Sequence, residues 1–400
     1  MNILLFAPFR LTENGGITTI GWNLQRGLRD LGHSAIVLTA GDGDTVTMTN
    51  QRGSGDEYEI YMRRMIIPHA PFKGFVAFWL YLPMTVCSLA RFLRRERIEI
   101  VHIHFTTPSA LYLALMRPFA RWRLVLTFHG SDINNLESRS LLYRFILRLI
   151  LKCADRIMLC SASLRSKLLA VSSDYAIKSS VVPNANPLRL PMVKTHPWNG
   201  AMPDDFALSV GSLIHRKGFD ILFRALLKAE QLNCPIKLLV VGGGPDRERL
   251  EALANELGIS SQVYFAGEID QQSIAAFYTR CRYFVLATRA EGMPLVVIEA
   301  MSFGKAVIST SVDGIPEVIR DGETGLLVPP EDVDGLATAM IKLQRDPALC
   351  DRLGRRAKLY VDEEHTWERF VQRNLDAYRA ARGEKSSGTG ARTEADAARK

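Results

Sequence analysis

Along most of this chain, short runs of apolar residues alternate with longer stretches in which apolar residues return every three or four positions. The runs predict buried strands and the stretches predict amphipathic helices. Their alternation predicts parallel sheets built from β-α-β units. In the first half, strands are predicted at 2–7, 34–39, 57–62, 98–103, 123–128, 156–160 and 178–182. Periodicity lapses over 184–204, where Pro187, Pro191, Pro197 and Pro203 mark a linker. The second half restarts with strands at 206–210, 236–241, 262–266, 283–287, 306–309 and 325–328. Helices are predicted there at about 218–232, 246–257, 271–280, 294–303, 314–320 and 331–345. The expectation is an α/β protein of two Rossmann-like, doubly wound domains, 1–190 and 191–365, facing a central cleft. Segment 366–382 reads as one more amphipathic helix, and the Gly-, Ser- and Lys-rich tail 383–400 is predicted to be disordered.

Composition sharpens this picture. Four hundred residues, 47% of them hydrophobic, exceed one ordinary domain and fit two. No run of eighteen apolar residues is free of charge or proline, so no spanning helix is expected. The first ten residues read as a strand, not as a signal peptide, which predicts a cytoplasmic protein. Six scattered cysteines with no CxxC pair predict reduced thiols and no metal site. The net charge of +8 is uneven: residues 1–180 hold 22 Lys and Arg against 13 Asp and Glu, a net of +9. An anionic macromolecular partner is therefore expected on the first half.

Candidate chemistry concentrates in segment 283–304, a predicted strand, a short loop and a helix beginning at Pro294, with Glu291 and Glu299 eight positions apart. Proline suits a first helical position, and the bare amides that follow, with the helix dipole, favour an anion such as a diphosphate. Glu299 sits among Val296, Val297, Ile298, Ala300, Met301 and Phe303, where a carboxylate needs hydrogen-bond donors such as sugar hydroxyls. Gly15 and Gly16 follow the first strand and open a helix. Gly211 to Gly218 follows the first strand of the second half and brings Arg216 and Lys217, two cations suited to a diphosphate leaving group. Gly242, Gly243 and Gly244, before Pro245, would let a base or ribose lie against the backbone, and His129 stands at a strand end in the first half. Singly, these are an ordinary glycine turn, a structural histidine and a solvated basic pair. Together, in this order, they describe a nucleotide-sugar site.

The residues that carry this pattern resemble glycosyltransferase family 4, retaining nucleotide-sugar enzymes of the GT-B fold. The similarity runs from about residue 1 to 382. It rests on the Glu291–Glu299 element and on Gly15-Gly16, Phe128-His129-Gly130, Val182-Pro183-Asn184, Lys217-Gly218, Gly242 to Pro245, Phe265 to Gly267, Gly314 to Glu317 and Gly322 to Val328. The resemblance implies that Glu299 holds the ribose and that Glu291 contacts donor-sugar hydroxyls. It implies that Arg216 and Lys217 neutralise the diphosphate without a divalent metal, and that His129 lies by the reacting sugar. Gly292, Met293, Pro294, Leu295 and Val296 would line sugar and phosphate, and helix 366–382 would cross back to brace the first domain. It further implies front-face, internal-return substitution. Ser212 stands where many members carry arginine, so Arg216 is expected to carry more of the phosphate charge. Asn184-Ala185 and Asp313-Gly314 replace the family's Asn-Gly and Gly-Gly.

The implied activity is transfer of a hexosyl unit from a UDP-, GDP- or ADP-sugar to a hydroxyl of a glycan or lipid-linked acceptor, without a cofactor, in cell-surface polysaccharide or glycolipid synthesis. A sugar-nucleotide epimerase and a non-catalytic nucleotide-sugar-binding member are the rivals. Asp42-Gly43-Asp44 spells a metal-binding motif of another transferase fold but lies in a polar loop. Val240 to Pro245 departs from the dinucleotide fingerprint at Arg247. In segment 139–156, read as a helix, Arg144, Arg148, Lys152 and Arg156 recur every four residues, and Phe72–Ala90 upstream is nearly all apolar. These suggest docking on an acidic membrane surface, on the inner face of the cell membrane. The basic residues lack the interleaved aromatics of a nucleic-acid module.

Overall fold

The computed structural model describes residues 1–7, 16–41, 50–52, 58–63, 73–104, 106, 110–130, 132–134, 136, 140–186, 188, 198, 202–270 and 273–384. Residue contacts divide the chain into two units. Unit 1 takes in Met1–Cys160, Arg165–Val182 and the chain from Trp367, and unit 2 takes in Ser161–Leu164 and Pro183–Thr366.

The strands of unit 1 are β1 (Asn2–Ala7), β2 (Ser34–Gly41), β3 (Asn50–Arg52), β4 (Tyr58–Arg63), β5 (Ile100–His104), β6 (Arg123–Phe128), β7 (Arg156–Leu159) and β8 (Ser179–Val181). They form one sheet in the order β3-β4-β2-β1-β5-β6-β7-β8, parallel except for the β3–β4 pair. Consecutive residues Ile3, Leu4, Leu5 and Phe6 are all buried, as in a strand covered on both faces. The helices are α1 (Gly16–Asp30), α2 (Lys73–Arg95), α3 (Leu111–Met116), α4 (Leu141–Cys153), α5 (Ala162–Val171) and, at the end of the described chain, α12 (Trp367–Arg382). From β1 the chain moves one way to β2, and from β4 it moves the other way through β5 and β6 to β7. Right-handed crossovers then put α1 on one face and α2, α3 and α4 on the other. In agreement, α1 packs on α12, whereas α2 packs on α3 and α3 on α4. Gly27 lets α1 and α12 approach, because a Cβ there would lie 2.5 Å from Val371. The α12 side chain Tyr378 bonds His102 Nδ1 at 2.7 Å, and Arg382 pairs with Glu99 at 2.7 Å.

The apolar stretch 72–90 lies largely within α2, a 23-residue helix that tolerates Pro83 in its interior. One reading of this half needs correction. The segment 139–156 is helical only over α4: Ala154 is extended, and Arg156 opens β7, where its guanidinium donates to Ile177 O at 2.8 Å. The basic row therefore ends at Lys152. Among the described residues no helix is long and apolar enough to cross a membrane.

Unit 2 contains β9 (Ala207–Val210), β10 (Leu238–Val241), β11 (Val263–Gly267), β12 (Tyr283–Leu286), β13 (Ala306–Thr310) and β14 (Leu326–Val328), all parallel, in the order β11-β10-β9-β12-β13-β14. Its helices are α6 (Phe219–Gln231), α7 (Arg247–Glu256), α8 (Ile274–Arg280), α9 (Leu295–Ser302), α10 (Val333–Arg345) and α11 (Pro347–Glu364). The winding reverses between β9 and β12, and in open α/β sheets ligands bind outside the carboxyl ends of strands at such a switch point. Pro294 is the N-cap of α9, in extended conformation, and Leu295 is the first helical residue. The helix expected at 314–320 is a single 3-10 turn, Ile315–Glu317. The 18-residue α11 falls in a stretch for which no element was expected. It packs on α9 and β13, with Gly354 against Gly304, where a Cβ would lie 2.0 Å from the Gly304 carbonyl.

Candidate active site

The loops after β9, β10 and β12 are tied together by their own backbones. Gly218, in the left-handed region at φ +67°, lies against Ala287, and a Cβ there would fall 1.9 Å from Ala287 O. The same contact lets Arg289 N and Thr288 Oγ1 donate to Arg216 O at 2.8 and 3.0 Å. Behind them Arg289 grips Asp220 with two hydrogen bonds, at 2.8 and 2.9 Å, and reaches Glu331 at 2.7 Å. Burial would raise the Asp220 carboxyl, but the guanidinium overrides it and holds the group below its ordinary value. On the other side Leu213 N donates to Gly243 O at 2.8 Å, and Asp246 N donates to Leu213 O at 3.0 Å.

This strapping fixes the Glu291 carboxylate, which is buried. Lys217 Nζ donates to Oε1, Arg216 lies 3.5 Å from Oε2, and Thr288 Oγ1 is 3.3 Å from Oε1. Arg216 also donates to Ala290 O at 2.7 Å. The amide of Glu291 donates to Asp313 Oδ2 at 2.9 Å, and Asp313 itself has φ +47°, a strained conformation for a residue with a side chain. Its neighbour Gly314 passes over Gly292, where a Cβ would lie 2.0 Å from Gly292 O. Buried Asn184 holds Met293, donating from Nδ2 to its carbonyl at 3.0 Å, while His365 Nδ1 lies 2.7 Å from Asn184 O.

Beyond Pro294 no side chain caps α9, so the Leu295 and Val296 amides head the helix. Glu299 sits in its second turn, buried, with Oε2 accepting from Tyr278 Oη at 2.7 Å. The Tyr278 ring is fully buried and stacks on Phe303 at 5.5 Å. Burial pushes the Glu299 carboxyl up to about 7 against the opposing pull of the Tyr278 hydrogen bond. Glu299 is thus poised to take up donors on its second oxygen. At the end of β10, Gly242 (φ +136°) and Gly244 (φ +151°) are required by the chain itself, since Cβ atoms there would lie 2.1 Å from Gly211 O and 2.5 Å from Leu213 O. Gly243 faces the Glu268 carboxylate.

Gly211, Arg216, Lys217, Gly243, Glu291, Gly292, Met293, Pro294, Leu295, Val296 and Glu299 thus share the carboxyl-end loops of unit 2. His129 and Gly16 stand in unit 1. Gly16 is the first residue of α1, and Gly15 and Asp42 to Asp44 lie outside the described residues. His129 follows β6, where its amide and that of Gly130 donate to buried Asp132, whose carboxyl burial lifts to about 6. Sequence reading passed over the two histidines of β5. His104 stacks on His129 at 5.8 Å between centroids, and His102 lies 4.0 Å from His104. Burial lowers His102 to about 3 and His129 to about 4, so both are neutral imidazoles at physiological pH. His129 Nε2 and both His104 nitrogens are buried without a hydrogen-bond partner among the described residues. The signal was visible as two histidines two apart in an otherwise apolar strand, which places them on one face. Among the described residues no group of three or more His, Cys, Asp or Glu is placed to hold a metal ion.

Comparison with known proteins gives this geometry its class. The family model for Glycosyltransferase Family 4 matches residues 14–188, and that for Glycosyl transferases group 1 matches residues 196–360. N-acetyl-alpha-D-glucosaminyl L-malate synthase of Bacillus anthracis is 27% identical over 91% of this chain and 93% of its own. Phosphatidyl-myo-inositol mannosyltransferase of Mycolicibacterium smegmatis is 29% identical over 87% and 86%. In fold, the sucrose-phosphate synthase of Thermosynechococcus elongatus superposes with a TM-score of 0.77 at 21% identity, covering 96% of this chain and 100% of that one. Two doubly wound α/β sheets with these matches define a GT-B glycosyltransferase. The chain belongs to glycosyltransferase family 4, and it transfers a glycosyl unit from a nucleotide-sugar donor.

Proposed function

We propose that the protein is a retaining, metal-independent hexosyltransferase that uses a UDP-, GDP- or ADP-sugar, with the donor bound on the carboxyl-end loops of unit 2. The observation that carries this is the Glu291 carboxylate held by Lys217 and Arg216 at the switch point, beside the uncapped start of α9. Without donor, the ion pair spares both groups the cost of lying buried and unpaired. With donor, the diphosphate takes the two cations and the α9 amides, and Glu291 is released to accept sugar hydroxyls. Positive charge and oriented amides then stabilise the departing nucleoside diphosphate, which is the charge that grows in the transition state. Glu299 accepts from the ribose. In unit 1, His129 orients the reacting sugar as a neutral imidazole. The acceptor is proposed to be a hydroxyl of a glycan or lipid-linked molecule, met at an anionic membrane surface on the cytoplasmic side. The name of one relative, phosphatidyl-myo-inositol mannosyltransferase, supports a lipid-linked acceptor.

Thermal denaturation with each class of nucleotide sugar in the presence of EDTA tests the donor reading. At least one is expected to raise the midpoint, and Glu299→Ala is expected to abolish the shift. A shift that requires added divalent metal would overturn the metal-independent mechanism.

A second expectation follows from the titration of Glu299. Burial lifts it to about 7 from an ordinary 4.5, so below pH 7 the free protein holds a proton there. Ribose hydroxyls donate to the ionised form, so donor binding should expel that proton. Calorimetry at pH 6 in buffers of different ionisation enthalpy should read release of up to about one proton, fading as pH rises past 7. Glu299→Gln should release none; equal release from both proteins would assign the proton to another group.

A further inference from the structure

We propose that the outer surface of the α2–α3–α4 layer of unit 1 is the face that docks on an anionic lipid bilayer, by apolar side chains that enter it and cations that meet its head groups. This rests on the membrane-side acceptor reading above and assigns it to named residues. Of the twelve large apolar side chains exposed among the described residues, seven belong to this layer. They are Leu80 and Met84 of α2, Leu115 of α3, Phe119 just beyond it, and Leu141, Leu142 and Phe145 of α4. Phe119 is 93% exposed and Leu141 80%, values at which a side chain has almost no protein to pack on.

Charge in the layer has one sign. The two long helices, α3 and the Arg117–Phe119 turn carry eight lysines and arginines and no aspartate or glutamate. The opposite face is mixed: α1 holds Asp30, and α12 holds Glu368 and Asp376. Among the described residues Arg91, Arg94, Arg148 and Lys152 make no ion pair. Both long helices also share one layout. Exposed positions 80, 84, 87 and 91 of α2 recur at helical spacing and run from Leu80, Met84 and Cys87 to Arg91. Exposed positions 141, 145, 148 and 152 of α4 run from Leu141 and Phe145 to Arg148 and Lys152. Apolar residues on one stretch and cations on the next suit an interfacial surface facing anionic lipid. A second copy of the chain is disfavoured as the occupant, because a symmetric contact would set this cationic face against itself.

Co-sedimentation with vesicles tests the proposal. At low salt the protein is expected to bind mixed phosphatidylglycerol–phosphatidylcholine vesicles and not vesicles of phosphatidylcholine alone. Arg148→Glu/Lys152→Glu is expected to weaken binding more than about tenfold, as is Leu141→Ser/Phe145→Ser. Arg355→Glu/Arg356→Glu, the same charge change on exposed residues of α11, is expected to leave it unchanged. Equal binding to both vesicle types, or an equal loss from the α11 variant, would overturn the assignment. So would a dimer that Phe145→Ser dissolves, with no vesicle binding by either protein. Donor-induced thermal stabilisation, read on the same proteins, keeps the two readings apart. The docking variants should retain it, and its absence from the unaltered protein would sink the donor reading while leaving vesicle binding standing.

Discussion

Replacing Lys217 by methionine should lower kcat/KM by about two to three orders of magnitude. Methionine keeps most of the aliphatic stem that packs beside Gly211, so the change removes charge more than volume. Among the described residues, Glu291 would then be buried with Arg216 as its sole cationic neighbour, 3.5 Å away. Breaking a buried pair on one side costs about 3–5 kcal/mol, much of it from the charge left behind. The transition state would also lose a cation opposite the diphosphate, and each decade in rate corresponds to about 1.4 kcal/mol. Two explanations of such a loss must be separated, because a purely structural ion pair would also be damaged. The double variant Lys217→Met/Glu291→Gln decides between them. It removes both charges and leaves the site close to its native shape, so thermal stability should return to near that of the unaltered protein. On the proposed donor contacts activity should not return, since the diphosphate would still lack its cation and the sugar its carboxylate. Recovery of activity along with stability would reduce the pair to a brace.

How much of this was legible in the sequence depends on whether the signal was local. Strands such as β10 were plain because Leu238 to Val241 are all buried, and a doubly covered strand writes itself as an unbroken apolar run. The pair Glu291 and Glu299 was plain for the opposite reason, as carboxylates in an apolar neighbourhood. By contrast, α11 escaped because its buried face relies on Gly354, Ala357 and Cys350 beside Leu349, Leu353 and Val361, and small residues add little to an apolar period. Asp313 looked like a departure from the family pattern. In the fold, its carboxylate holds the Glu291 amide. Tyr278 was invisible as a site residue because what distinguishes it is a partner 21 positions away, Glu299. Through-space pairing of that kind leaves no mark in local periodicity.

Gly242→Ala should be more destabilising than the same change at its neighbours Gly243 or Gly267. Its φ of +136° is a conformation that residues with a side chain rarely adopt, and its Cβ would lie 2.1 Å from the Gly211 carbonyl oxygen. That oxygen belongs to backbone, and Gly211 is itself fixed by its amide donating to Val241 O at 3.0 Å. Neither side can yield without parting β9 from β10. Left-handed strain of about 1–2 kcal/mol adds to an overpacking cost of about 1–3 kcal/mol. For a unit of this size each kcal/mol shifts the midpoint by about 2–4 °C, so calorimetry should show a fall of roughly 4–20 °C. Two neighbouring alanines calibrate the reading. Gly267 is also left-handed, at φ +74°, but has open space around it, so Gly267→Ala should pay the strain alone. At Gly243 the nearest atom is the end of the exposed Glu268 side chain, 2.6 Å from the added Cβ, and that chain can swing away. Gly243→Ala should therefore be nearly neutral in stability. The expected order of loss is Gly242, then Gly267, then Gly243. If Gly243→Ala proved as destabilising as Gly242→Ala, backbone-to-backbone contact could not be what makes this loop need glycine.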